Sequence, residues 1–482
     1  MSNTRHAAGN SNIWSWSGAE IAQAIKEKQI SSEEATRSCL KRIEEINPVV
    51  NALNRVDAES AIRAARTADI ALSKGESLGL LHGVPLVTKD NSDEIGLPNT
   101  NGNQLLRHDV APSDSPQIKR LRDAGAVFIG RSNTPLYSFR WDSENTLHGA
   151  TLNPWSKDHT PGGSSGGAAS AVACGMAPLA HGNDIGGSIR QPAYCCGVVG
   201  LRPTPGLVPS WLGPRGGNQP LSFQIMCSEG SIARSVADAS LMVQAMAGYD
   251  PRASNAYPST SSRAKTPGSI KIGVLLDDGV TPRDPLVNDS LMKAATILQE
   301  RGYTVEEVKL PMVVEAFRLW YLLVLEEMRV VAADIYAYGD ELTRKTTQHN
   351  YEVAKRWWGA APTLADYSEG YARRGTLAAQ LQAVLEENPV ILLPVSNARP
   401  WFRNQISLSL ESAQESVDQG WSLMGIAALG FPAMSIPMGI VDGLPTGVQL
   451  LGKRFHEADL VEVAAVVEAD TGTFTPIDPK FR

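Results

Sequence analysis

The sequence predicts an α/β protein with a layered fold and a largely parallel or mixed sheet. Short apolar segments typical of buried strands alternate along the chain with segments of helical periodicity. The composition is that of a globular protein, because 43% of the 482 residues are hydrophobic and 20% are charged. Large α/β enzymes often fold such a length as one unit, so we expect a single domain over residues 1–482.

The N-terminal part, residues 13–80, is predicted to be helical. Ser31 and Glu34 have the spacing of a capping box, and apolar residues recur behind them at intervals of three and four. We expect this helix to end at Asn47 and Pro48, because proline interrupts helical hydrogen bonding. A second, alanine-rich helix is expected over 58–72.

Residues 81–249 form the predicted core of the domain. A strand over 83–90 carries Lys89, a helix is expected over 116–124, and a second buried strand covers 126–130. The small residues of 168–174 predict a buried helix that packs closely against its neighbours. Residues 250–269 are rich in Pro, Ser and Ala and are expected to form a surface loop.

The C-terminal part, residues 270–482, is predicted to begin with a strand over 270–276. The segment 311–389 is expected to be mostly helical and holds several aromatic residues. Two apolar runs at 390–393 and 433–436 each end at a proline and predict core strands, and a last helix is expected over 456–469.

Charge and composition exclude several classes of protein. The net charge is −7 without a basic run, so nucleic acid and anionic membranes are not expected as partners. No apolar run approaches the roughly 20 residues of a membrane helix, and the first twelve residues lack the apolar segment of a secretory signal. Five cysteines without a C-x-x-C pair argue against disulfides or zinc and favour a cytoplasmic protein. The eight scattered histidines show no metal-binding spacing, so neither a metal nor a cofactor is predicted.

Two serines in glycine-rich surroundings are the strongest functional signal. Ser164 lies within the run GGSSGG at 162–167, and Ser188 lies within DIGGSIR at 184–190. Glycine pairs serve where the backbone turns tightly or approaches another group closely. A serine on such a turn, beside exposed N–H groups, offers a nucleophile and donors for an oxyanion, as acyl transfer requires. A single GGSSGG run would be interpreted as a loop, but the second serine favours a catalytic site.

Other interpretations of the motifs are weaker. The run 162–166 also fits G-x-S-x-G, the nucleophile turn of α/β-hydrolases, but His349 and His456 lie in no distinctive context for its triad. The segment 447–453 has the spacing of a phosphate-binding loop, but Arg454 stands where Ser or Thr must bind magnesium. A serine hydrolase without a catalytic histidine remains.

The motifs resemble those of the amidase signature family. The resemblance covers 162–167, 184–190 and 197–204, the strand that carries Lys89, and the segments 130–135, 430–437 and 445–452. It implies a three-layer α/β/α domain with a central mixed, mostly parallel sheet. It also implies hydrolysis of amide C–N bonds through an acyl-enzyme.

The resemblance assigns a role to each residue of the motifs. It implies Ser188 as nucleophile, Ser164 after a cis peptide bond as bridging serine, and Lys89 as base. The N–H groups of Ile185, Gly186, Gly187 and Ser188 are the expected oxyanion donors. Ser165 is expected to make a hydrogen bond within the site. Asp184 and Arg190 are expected to support the nucleophile from behind. A lysine base must be neutral, which requires burial or nearby positive charge to lower its pKa from about 10.4.

The substrate is less well determined. Phe139 and Trp141, within the segment 137–142, and Gln191 are expected to line the acyl pocket, which favours a small aryl or alkyl amide. Asn183 stands where the family usually has Thr or Ser, and Arg131 stands where Lys is frequent. These departures leave the identity of the substrate open. The alternatives are the glutaminase (A) subunit of a tRNA-dependent amidotransferase and a non-catalytic binding module. A monomer or homodimer is expected.

Overall fold

In the computed structural model, residues 12–76, 78–211, 217–258 and 270–482 are described, and one large sheet forms their centre. The strands are β1 (Leu53–Arg55), β2 (Pro85–Lys89), β3 (Val127–Ser132), β4 (Glu144–Asn145), β5 (Gly149–Ala150), β6 (Leu179–Asp184), β7 (Val199–Arg202), β8 (Ser228–Ala233), β9 (Ile272–Val274), β10 (Val305–Glu307), β11 (Val390–Pro394), β12 (Ala433–Val441) and β13 (Leu444–Gly452).

The α-helices of the described residues are α1 (Gly18–Lys26), α2 (Ser32–Val50), α3 (Ala58–Ser73), α4 (Pro116–Asp123), α5 (Gly166–Ala173), α6 (Arg190–Cys196), α7 (Leu221–Met226), α8 (Val236–Met246), α9 (Pro285–Glu300), α10 (Pro311–Glu327), α11 (Arg329–Tyr338), α12 (Glu341–Trp358), α13 (Leu364–Glu387), α14 (Gln405–Leu408), α15 (Leu410–Gln419), α16 (Trp421–Leu429) and α17 (Glu457–Thr471). Three short 3₁₀-helices, Ile13–Ser15, Gln104–Leu106 and Leu136–Ser138, also occur there.

The sheet has the order β1-β3-β2-β6-β8-β7-β12-β13-β11-β9-β10. Its parallel pairs lie in two groups, β3-β2-β6 and β11-β9-β10. The central strands from β6 to β11 pair antiparallel, as does β1 with β3. The α/β class and the mixed sheet are thus confirmed, but parallel pairing predominates towards the two ends only. Asp442 and Gly443 explain part of the difference, because their positive φ angles form a two-residue hairpin turn that keeps β12 and β13 antiparallel.

Helices cover both faces of the sheet, as three layers require. Along β11, Val390 and Leu392 pack into the cluster that holds α8, α9 and α17, whereas Ile391 and Leu393 pack against α10, α13 and α16. This alternation is the two-residue period of a strand buried on both faces. Nearer the other end, α2, α3, α5 and α6 form a cluster with one face of β2, β3 and β6.

The predicted elements occur with small shifts in their bounds. The capping box of Ser31 and Glu34 begins α2, but the helix continues past Pro48 to Val50, so the predicted end is wrong. Asn51 ends it in the left-handed conformation, and burial of Val50 holds the last turn in place. Residues 250–258 of the predicted loop contain neither helix nor strand, and 259–269 lie outside the described residues. Within the described ranges, no helix is long and apolar enough to cross a membrane.

Candidate active site

Two neighbouring parallel strands deliver polar side chains to one edge of the sheet. β2 ends at Lys89 and β6 ends at Asp184. The carboxyl ends of parallel strands lie together, which is where ligands bind in α/β sheets. The two glycine-rich loops close over this edge, and each leads directly into a helix, α5 or α6.

Glycine is required at specific points of these loops. Gly162 has φ +83°, and a Cβ there would lie 2.3 Å from the Cα of Pro192. Gly187 has φ +102°, and a Cβ there would lie 2.8 Å from the Cβ of Leu423. Side chains would therefore force the two loops away from α6 and α16.

Lys89 and Ser164 are brought into direct contact. Lys89 Nζ donates hydrogen bonds to Ser164 Oγ at 2.6 Å and to Asn183 Oδ1 at 2.8 Å. The Gly163–Ser164 peptide is cis, as the family resemblance implies. Lys89 is fully buried, and this burial lowers the pKa of its amine from 10.5 to about 7. A substantial fraction of the amine is therefore neutral near neutral pH.

Ser188 lies on the wall of the cavity that Ser164 also lines. Its carbonyl accepts a hydrogen bond from the N–H of Ser165 at 3.3 Å, which joins the two glycine-rich loops. The side chain is 8% exposed, and its hydroxyl makes no hydrogen bond with any residue that the structure describes. The link between Ser188 and Ser164 is therefore not formed in this structure.

The N–H groups predicted to bind the oxyanion differ in whether they already have a hydrogen-bond acceptor. The N–H of Gly187 donates to Asp184 Oδ1 at 2.8 Å, so its assignment to the oxyanion is not supported. The N–H groups of Ile185, Gly186 and Ser188 have no acceptor among the described residues. Ile185, Gly186 and Ser188 line the cavity.

Asp184 and Arg190 form a buried ion pair beneath the loop that carries Ser188. Arg190 Nε and Nη2 each donate to the Asp184 carboxylate at 3.0 Å, and both side chains are fully buried. Burial alone would raise the pKa of Asp184, but the charge and hydrogen bonds of Arg190 hold it below its ordinary value of 3.8. The guanidinium of Arg202 lies 3.4 Å from the same carboxylate. This arrangement fixes the start of α6, consistent with a supporting role for the pair.

Ser165 makes its predicted hydrogen bond within the site through its backbone, whereas Gln191 does not line the cavity as predicted. The hydroxyl of Ser165 is buried and has no hydrogen-bond partner among the described residues, although its N–H binds Ser188. Gln191 is buried outside the cavity, and its Oε1 accepts from the N–H of Gly163 at 2.9 Å. Gln191 therefore orients the loop before Ser164, because the first turn of α6 directs its side chain towards that loop.

Several polar residues near Lys89 were not predicted as members of the site. Asn183 and Asn91 exchange two side-chain hydrogen bonds, at 2.9 and 3.1 Å, and both line the cavity. Behind them, His181 Nε2 lies 2.6 Å from Glu229 Oε2, and both side chains are fully buried. The position of Asn183 directly before Asp184 was a signal for one of these residues. Glu229 comes from a distant segment and has no local motif.

Comparisons with known proteins identify the family of this chain. The family model Amidase matches residues 34–461. The chain belongs to the amidase family. This amidase is 36% identical over 464 residues to an indoleacetamide hydrolase of Bradyrhizobium diazoefficiens, an alignment that covers 95% of this chain and 87% of that protein. It is 32% identical to the A subunit of the glutamyl-tRNA(Gln) amidotransferase of Moorella thermoacetica, over 94% of this chain and 96% of that protein.

A crystal structure is also similar over nearly the whole amidase chain. It is that of a bacterial aryl acylamidase of the amidase signature family. The TM-score is 0.79 at 28% sequence identity, and the match covers 96% of each chain. The three-layer fold is therefore the fold of this family.

The cavity above the amidase site is largely aromatic. It has a volume of about 920 Å³, its open mouth included. Phe139 and Trp141 line it as predicted, and Trp320 is a further wall residue. The apolar side chains on its wall are those of Phe139, Trp141, Ile185, Phe223, Trp320, Tyr321, Val324, Met328, Ile406 and Met424. No cluster of three His, Cys, Asp or Glu residues suited to a metal ion occurs in the described part of the chain.

Proposed function

We propose that this amidase hydrolyses small, uncharged amides with an aryl or alkyl acyl group, through an acyl-enzyme on Ser188. The products are a carboxylic acid and an amine or ammonia. The observation that carries the proposal is the buried hydrogen bond between Lys89 and Ser164 at the base of an aromatic cavity that Ser188 also lines.

In the proposed reaction, neutral Lys89 accepts the proton of Ser164 while Ser164 accepts that of Ser188. This step requires the Ser188 side chain to turn towards Ser164. Ser188 Oγ then bonds to the amide carbon, and the N–H groups of Gly186 and Ser188 stabilise the resulting oxyanion. The C–N bond breaks as the nitrogen takes the proton back through Ser164. Water attacks the acyl-enzyme by the same relay and releases the acid.

The cavity wall supports an uncharged aryl substrate. Among the described residues that line the cavity, Arg140 is the only one with a charged side chain. Its guanidinium already donates to Asn404 and lies 4.0 Å from Asp340, so its charge is engaged away from a substrate. Aromatic rings such as those of Trp320 and Phe139 bury flat apolar groups well. The names of two similar proteins, an indoleacetamide hydrolase and an aryl acylamidase, support the same class of substrate.

A glutaminase component of an amidotransferase is the second candidate, because similarity to the amidotransferase protein extends over 94% of the chain. Free glutamine carries an ammonium and a carboxylate. No Asp or Glu is among the described lining residues, so the ammonium has no opposite charge there. This favours the first candidate. The catalytic contact of Lys89 with Ser164 argues against a binding module without activity.

The expected cellular location and assembly remain part of the proposal. The five cysteines are free and buried, which supports a reducing compartment such as the cytoplasm. A monomer or homodimer is proposed.

The decisive test combines a substrate panel with covalent labelling. The purified chain is assayed with indole-3-acetamide, anilides, aliphatic amides, peptide amides and glutamine, and then treated with an aryl fluorophosphonate. We expect turnover of the aryl amides and a single label on the peptide that contains Ser188. Absence of both turnover and label would refute the proposal. Glutamine turnover alone would favour the amidotransferase component.

A dependence on pH follows from the buried lysine. We expect kcat/KM for an aryl amide to rise with pH through an apparent pKa of about 7. The reason is that only the neutral amine of Lys89 can accept a proton, so activity falls about tenfold per pH unit below that value. A profile that stays flat between pH 6 and 9, with a solvent isotope effect showing that proton transfer limits the rate, would contradict a lysine base.

Substitution of Glu229 gives a more specific test of the rise of kcat/KM with pH. Burial lowers the pKa of Lys89, and the negative charge of Glu229 partly opposes this decrease. Glu229→Gln is therefore expected to move the rising limb to lower pH. Glu457→Gln is the control, since that partly buried carboxylate accepts a hydrogen bond from Thr204 and is not among the charges that act on Lys89. An unchanged limb in Glu229→Gln would contradict the assignment.

A further inference from the structure

Two indole rings hold the carbonyl groups of the loop that precedes Ser188. Trp320 Nε1 donates to the carbonyl of Ile185 at 2.7 Å, and Trp141 Nε1 donates to the carbonyl of Gly186 at 2.9 Å. The rings come from distant parts of the chain, one from α10 and the other from the segment before β4. An indole has a single donor and no acceptor. Each ring is therefore committed to one carbonyl.

These contacts set the directions of the loop N–H groups. In a trans peptide, the carbonyl and the following N–H point in opposite directions. The carbonyl of Ile185 and the N–H of Gly186 belong to the same peptide. Because Trp320 binds the carbonyl on one side of this peptide, the N–H of Gly186 points to the opposite side, away from the indole. The carbonyl of Gly186 shares its peptide with the N–H of Gly187, which binds Asp184. The second peptide is thus held at both ends, by Trp141 and Asp184.

The two rings are themselves supported. A Cβ at Gly186 would lie 3.0 Å from the Cζ2 of Trp320, so the ring rests directly on the backbone of the loop. Trp141 stacks on Trp401 with ring centroids 5.0 Å apart, and Trp401 Nε1 donates to Gln419. The loop therefore lies between a fixed aromatic wall and the buried carboxylate of Asp184.

We propose that Trp320 and Trp141 are positioning residues that orient the loop 185–187 for stabilisation of the oxyanion, besides forming the wall of the acyl cavity. The inference rests on the proposed amide hydrolysis at Ser188. Trp320 has the larger effect, because among the described residues it makes the only hydrogen bond to the peptide between Ile185 and Gly186. Trp141 has the smaller effect, since Asp184 holds the Gly187 peptide independently.

The test compares variants that keep an aromatic ring but lose the N–H. Trp320→Phe is expected to lower kcat for an aryl amide about 10- to 100-fold, less than the loss of a complete oxyanion donor, with KM changed by less than about threefold. Trp141→Phe is expected to lower kcat about three- to tenfold. The affinity for an aryl trifluoromethyl ketone, which forms a tetrahedral oxyanion adduct with serine, should fall by the same factor as kcat/KM. The affinity for the carboxylic acid product should not.

Trp358→Phe is the matched control. Trp358 Nε1 donates to the carbonyl of Arg318 at 2.8 Å, so an equivalent bond is lost on a ring that does not line the catalytic cavity. Its kcat should stay within twofold of that of the parent protein. Should Trp320→Phe fold poorly, replacement of Trp320 by 3-benzothienylalanine removes the same N–H while keeping the size of the ring, and the same loss of kcat is expected.

Three outcomes would overturn the inference. They are a change in KM alone in the Trp320 variants, an unchanged affinity for the trifluoromethyl ketone, and Trp320 variants as fast as an active parent protein. Failure of the proposed function is distinguishable, because the parent protein would then hydrolyse no amide and Ser188 would not be labelled. A parent protein that is active and labelled, with Trp320 variants as fast as the parent, would remove the positioning role alone.

Discussion

Replacement of Ser188 by alanine is expected to lower kcat for an aryl amide by about 10⁴- to 10⁶-fold, because the acyl-enzyme can no longer form. The folded structure should be unaffected. The hydroxyl of Ser188 makes no hydrogen bond with the described residues, so its removal leaves no buried partner unsatisfied. The measurement is steady-state kinetics, supported by thermal unfolding of the same preparation and by loss of the fluorophosphonate label.

Ser132→Ala provides the control for this result. Ser132 is a fully buried serine at the end of β3, and its hydroxyl has no hydrogen-bond partner in the described part of the chain. It also lies outside the cavity that Ser188 lines. Its alanine variant should keep kcat within a fewfold of the parent value. A Ser188→Ala variant with more than about a hundredth of the parent activity would contradict Ser188 as the nucleophile.

Replacement of Asp184 by asparagine is expected to have the largest effect on stability. It would leave the guanidinium groups of Arg190 and Arg202, both fully buried, without their shared negative charge. Removing one partner of a buried ion pair costs about 3–5 kcal/mol of unfolding free energy. The loop would also lose the acceptor of the Gly187 N–H, so activity should fall in whatever fraction remains folded.

Urea unfolding followed by circular dichroism measures this loss. Glu33→Gln is the control, because Glu33 pairs with Arg37 and Arg66 at the surface, where ion pairs contribute little. The pKa of Asp184 is held below its ordinary value, so its stabilising effect is present at neutral pH and is lost as pH falls through that lowered pKa. A difference between parent and Asp184→Asn that is small at pH 7 would contradict the role of the pair.

The predictions that succeeded concern residues close together along the chain. The cis bond before Ser164 followed from the family resemblance, whereas the strand that carries Lys89 and most other helices and strands followed from local patterns of residues. Ser165 hydrogen-bonds within the site through its backbone N–H and not through its hydroxyl, because a motif does not show which group of a residue has a partner within reach. Gln191 was expected in the acyl pocket because it follows Arg190, but the first turn of α6 directs it towards Gly163.

By itself, the sequence determined the candidate chemical groups of this amidase site and the strands and loops that carry them, because glycine-rich turns and short buried strands depend on nearest neighbours. Only the tertiary structure decided what surrounds those groups. Trp320 lies 135 positions from the carbonyl that it binds, and Trp141 lies 45 positions from its own. Contacts over such separations arise when layers pack on the sheet. Burial in the same packing lowers the pKa of Lys89 towards neutrality, which no local pattern of residues expresses.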